Sequence, residues 1–194
     1  MSDRLMLSCH VRGFHPLRMA GDWEKLVKLF PYSRLTRAPA YFRVHAIGFS
    51  EPVLVERAWE APFDPVEAVK AAREAVHEDC AWQLECAWDL LQKTGEDWVL
   101  APSPVSLWSF GPAFENELRD HLRIEFGLEH HFLPQPGDPL SLRAAQANLQ
   151  SLMKLVRDID EAFPLELRHL WSESGVNFAD RLNRLYQSST AGTQ

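Results

Sequence analysis

Residues 5 to 11 place Leu5, Leu7, Cys9 and Val11 on one side of an extended chain and Met6, Ser8 and His10 on the other. That period of two is what a half-buried strand requires. From Met19 to Phe30 the apolar positions become Met19, Trp23, Leu26, Val27 and Phe30, a helical stripe that Pro31 closes because it has no N–H for the ladder. Period two returns at Tyr41 to Phe49, and Ser50-Glu51-Pro52 turns the chain into Val53 to Trp59, which reads as a hairpin. Asp64-Pro65-Val66-Glu67 combines a capping acid, a proline at the first helical position and a glutamate at the third, and predicts a helix to about His77.

Further on, Trp82, Leu84, Cys86 and Trp88 alternate with Gln83, Glu85, Ala87 and Asp89, and the turn-rich Lys93 to Asp97 leads into an apolar run from Trp98 to Phe110. Pro102 and Pro104 predict a bulge or break in that run. Leu122, Ile124 and Phe126 mark a sixth strand. After the turn chemistry of residues 134–139, Leu142, Ala145, Leu149, Leu152, Val156 and Ile159 trace a long amphipathic helix that ends at Pro164. A last helical stretch begins near Asn177, and residues 188–194 read as a disordered tail after a single domain over residues 1–187.

The first six elements run strand, helix, strand, strand, helix, strand. This is the ferredoxin-like order, so the expected fold is α+β: an antiparallel sheet with helices mainly on one face, extended by two strands and finished by helices. The long C-terminal helix has two places to bury its stripe, beside the first two helices or across the open sheet face.

Composition narrows the function classes. The chain has 194 residues, 46% of them hydrophobic, which suits one core. Its formal charge of −7 without a basic cluster argues against nucleic acid. Three irregularly spaced cysteines suggest neither a disulfide framework nor a zinc knuckle. With no apolar leader and no long apolar run, a cytoplasmic protein away from membranes is expected. The glycine-rich cradles of nucleotide enzymes are missing, so no cofactor is expected.

If the apolar parities point toward the helices, the opposite face collects His10, Arg12, Arg43, His45, Glu85, Asp89, His121, Arg123 and Glu125. Mixed signs suit a small polar ligand or a protein partner, a second copy included; the plain alternative is a wetted sheet face. Carboxylates and imidazoles also concentrate between Phe110 and Phe132, where Glu115, Glu117, Asp120, His121 and His130 are candidate metal ligands. Their spacing matches no metal template.

No catalytic residue is assigned. Cys9 and Cys86 share the parity of core residues, and no G-x-S-x-G surrounds the serines of 103–109. Trp23, Trp82 and Trp88 fall at core positions; Trp59, Trp98, Trp108 and Trp171 are less clearly placed, each expected in the core but an interaction anchor in an aromatic patch if left exposed. The leading expectation is a non-catalytic binding or interaction module, and its rival is a metal-dependent hydrolase built on the 115–131 cluster.

Overall fold

In the computed structural model, residues 3–135, 138–175 and 177–191 are described. The chain forms β1 (Arg4–Val11), α1 (Pro16–Leu29), β2 (Ala40–Ala46), β3 (Val55–Trp59), α2 (Pro65–Arg73), β4 (Cys80–Thr94), β5 (Asp97–Phe110), β6 (Leu122–Leu128), a 3-10 turn (Glu129–Phe132), α3 (Pro139–Ala162), β7 (Leu165–Ser172) and α4 (Phe178–Ala191). The α+β class is as expected: seven strands form one sheet in the order β3-β2-β4-β5-β6-β1-β7, and every neighbouring pair is antiparallel.

The finer ferredoxin-like arrangement is not the one adopted. That topology would insert the first strand between the third and fourth, whereas β1 lies between β6 and β7 and β2 pairs directly with β4. The β4–β5 hairpin accounts for the difference. Its register is unbroken from Ala81↔Phe110 to Thr94↔Asp97, so two long strands and then β6 stand between β2 and β1. Pro102 and Pro104 do not break β5, because both precede Ser106–Ser109, the part paired with β6. Two residues apart, their ring nitrogens face the same unpaired edge.

One face of the sheet is apolar, as the parities predict. Leu5, Leu7, Cys9 and Val11, Phe42 and Val44, Trp82, Leu84 and Trp88, Leu107, and Leu122, Ile124 and Phe126 are buried in one cluster with Trp23 of α1, Ala68 of α2, Leu152 and Val156 of α3 and Phe178 of α4. The long helix α3 therefore lies on the helical side, near α1. At its start the Asp138 carboxylate caps Leu140 and Ser141 N–H. Asp64 caps α2 likewise, by accepting from Val66 N–H, but α2 ends at Arg73 rather than near His77.

β7 is absent from the sequence reading. It is an edge strand with half of its residues exposed, and among the described residues its one sheet neighbour is β1. Helix α4 continues to Ala191, into the stretch read as a tail, and residues 192–194 lie outside the described ones. Among the described residues no helix is long and apolar enough to cross a membrane.

Candidate functional site

Pleat and register assemble the second face of the sheet in rows. Tyr41, Glu85, Ser106 and Glu125 stand opposite one another on β2, β4, β5 and β6, and Arg43, Gln83, Trp108 and Arg123 form the next row. The strands bring together six of the nine residues expected on this face: Arg43, His45, Glu85, Asp89, Arg123 and Glu125.

Several of them hold one another. Arg43 reaches Glu85 at 2.7 Å and Glu56 at 2.5 Å. His45 Nε2 lies 3.2 Å from Gln83 Oε1, and Gln83 Nε2 donates to Glu85 at 3.2 Å. The Glu125 carboxyl is raised above its ordinary range because burial outweighs Arg123 and the Trp108 indole beside it.

The other three lie past the end of these rows: His10 is the last but one residue of β1, paired with Leu167 of β7, while Arg12 and His121 fall just outside the strands. His10 and His121 meet at one end of the sheet with ring centroids 5.7 Å apart, and Phe14 stacks on His121 at 4.1 Å. Val11 N–H donates to His121 Nδ1 at 2.9 Å, and burial, then His10, lowers the His121 pKa. This pair is a structural joint between β1 and β6. Arg12 follows β1 in an exposed turn.

The face is not open throughout. Trp108, an anchor for a partner only if exposed, is instead buried with Ala81, Phe110 and Phe114 in a second small cluster, over which Phe49 packs edge-on. The close approach that seats Phe114 needs Gly111, where a Cβ would come within 2.3 Å of the Glu78 carbonyl. Trp59, Trp98 and Trp171 are half-buried, so the four tryptophans do not form an exposed patch.

The candidate metal ligands are not brought together. Asp120 is 1% exposed and holds the Arg123 guanidinium through two hydrogen bonds, at 2.8 and 2.9 Å. Asn116 Nδ2 donates to the same carboxylate at 2.5 Å. Glu115 and Glu117 are exposed, and His130 lies in the 3-10 turn beyond β6, with its ring against His131. Among the described residues no group of three or more His, Cys, Asp or Glu could hold a metal ion. Cys9 is buried too, and burial, then Asp120, pushes its thiol up to about 12.

Where the polar face is uncovered, a cleft of about 1260 Å³ opens. Its floor is the row Tyr41, Glu85, Ser106 and Glu125, continued by Ala87, Pro104 and Gly127. Gly127 has φ +76°, and a Cβ there would sit 3.1 Å from the Pro104 carbonyl, so the floor stays low at that point. One wall is the segment 33–39 between α1 and β2; Arg4 and Leu128 stand on the other side of the floor.

Asp89 holds the wall. Its carboxylate accepts from the Ser33 hydroxyl at 2.5 Å and from Arg34 N–H at 2.9 Å, while Ser33 N–H donates to the Ala87 carbonyl at 2.7 Å. Ser33 Oγ in turn accepts from Leu35 and Thr36 N–H. Asp89, read from the sequence as a binding residue, is thus a positioning residue for the wall. Asp89→Ala is expected to cost about 1.5–3 kcal/mol in urea unfolding, the range for hydrogen bonds to a charged group. A loss below about 0.5 kcal/mol would show that the wall is held without it.

Sequence reasoning passed over Arg4, Arg34, Arg37, Tyr41 and Ser106. Arg4 shares parity with His10, and Tyr41 with Arg43, so both were recoverable from the pleat. Arg34 and Arg37 lie outside any periodic segment, and only the folding of 33–39 along β4 brings them to the sheet. No family model matches the chain, and neither a curated protein nor a solved structure does.

Proposed function

We propose that this is a ligand-binding protein without catalytic activity, whose site is the cleft over the polar sheet face. One observation carries the reading. Four side chains from four adjacent strands, Tyr41, Glu85, Ser106 and Glu125, form the floor of a cleft of about 1260 Å³, somewhat above the roughly 300–1,000 Å³ usual for small-molecule sites. A site on rigid strands is pre-organised, which lowers the ordering cost of binding. The floor supplies a hydroxyl, a phenol and two carboxylates, and Pro104 and Leu128 add apolar surface, the mixture that orients a polar organic ligand.

The rival hydrolase reading gains no support from the placement of Asp120, whose carboxylate is engaged by Arg123 and Asn116.

Ser106→Trp projects an indole into the middle of the floor and is expected to abolish binding there. The measurement is saturation-transfer NMR with a panel of monocyclic aromatic acids, amines and amides. Wild-type protein should yield hits that vanish in Ser106→Trp, with the thermal midpoint within a few degrees of wild type. Hits that persist in the variant, or a wild-type protein with none, would refute the cleft as the site.

A further inference from the structure

The geometry points to an organic anion, a carboxylate or phosphate ester with an apolar body, as the class of ligand that the cleft takes. This rests on the cleft being the binding site and adds the charge of its occupant.

The acids that line the cleft are Glu85 and Glu125. Glu85 is joined to Arg43 at 2.7 Å, and Glu125 has Arg123 at 3.9 Å and feels the charge of Arg4, which lines the same cleft. Both floor carboxylates are therefore answered by cations of the protein itself. On the wall, Arg34 and Arg37 line the same cleft, and among the described residues neither guanidinium has a hydrogen-bond or ion-pair partner. What distinguishes Arg34 and Arg37 from other arginines without a carboxylate partner among the described residues, such as Arg12 and Arg119, is that they line the cleft.

Position makes the two arginines usable. Three residues apart on a segment pinned to β4 through Asp89 and Ala87, they stand on a wall whose backbone is already ordered. A guanidinium presents a planar fork that fits carboxylate and phosphate oxygens in pairs. Between them Leu35 is 49% exposed, and Pro62 and Pro104 line the same cleft, so an apolar body attached to the anionic group has surface to cover. The anionic head belongs at the wall, since the floor there carries the two carboxylates.

Three ligands of one shape separate the possibilities: 2-naphthoate, 2-naphthyl phosphate and the neutral 2-naphthamide, each titrated calorimetrically into the full chain and into an Arg34→Gln/Arg37→Gln variant. Both substitutions lie on the surface, and circular dichroism with thermal melting checks that the variant folds. The two anions are expected to bind wild type at least about tenfold more tightly than the amide, as charge-assisted hydrogen bonds imply. The variant should lose that preference, and added salt should weaken it in wild type. The tighter of the two anions tells whether carboxylate or phosphate is the natural head. Amide binding as tight as that of the anions, or an unchanged preference in the variant, overturns the anion inference and leaves the cleft intact. No binding of any of the three overturns both.

Discussion

Asp120→Ala is expected to destabilise the protein by about 3–5 kcal/mol, the cost of removing one partner from a buried ion pair. Arg123 is 8% exposed and would stay in place, with its two strongest hydrogen bonds gone. It would keep Asn116 Oδ1 at 2.9 Å, Glu125 at 3.9 Å and the Phe110 ring at 4.8 Å, none of which replaces a bidentate carboxylate. Asp120→Asn should cost less, because an amide oxygen still accepts from the guanidinium. Urea unfolding of the three proteins checks the order. A loss for Asp120→Ala below about 1 kcal/mol, the value of a surface pair, would mean that water reaches the guanidinium.

Removing Asn148 should weaken the fold by a similar amount, about 3–5 kcal/mol, through groups that are not on its own helix. Beyond Glu85, β4 has no strand on its β2 side, so the backbone of Leu91 is left without a partner along that edge. The buried Asn148 side chain fills the place of a strand: Oδ1 accepts from Leu91 N–H at 2.8 Å, and Nδ2 donates to the Leu91 carbonyl at 2.9 Å and the His131 carbonyl at 2.8 Å. Asn148→Ala leaves three half-buried backbone groups unpaired, each worth about 1–3 kcal/mol when cut off from water. The urea midpoint should fall without a change in slope, and the Leu91 amide should exchange faster with solvent. Wild-type exchange at Leu91 in the variant would show that another group occupies the position.

Both predictions concern polar residues whose importance the pattern of the chain conceals. Asn148 sits among the small and apolar residues of a helical stripe, where periodicity can report only that it is buried. Asp120 lies beside His121 in a run of acids and histidines, and one dimension offers no means to tell a metal ligand from the partner of an arginine. The distinction is made by Arg123 on the adjoining strand.

What could be read was local. Period two located β1, β2, β4 and β6, period 3.6 located α1 and α3, and Asp64-Pro65 marked the start of α2, because each signal lies within a few residues of the structure it specifies. β7 escaped because an edge strand with exposed residues carries little alternation. Parity alone put Arg43, His45, Glu85, Asp89, Arg123 and Glu125 on a common face, since the pleat leaves no choice once the apolar side is known.

By itself, then, the sequence determined the class of fold, the apolar layer and which side chains turn away from it. The tertiary structure decided the strand order, the burial of Trp108 under Phe49 and Phe114, and the return of residues 33–39 along β4 that brings Arg34 and Arg37 to the wall of the cleft. The reason is physical: periodicity reflects interactions within a few residues, whereas the cleft depends on segments up to about a hundred residues apart, brought together by pairings that only the folded sheet selects.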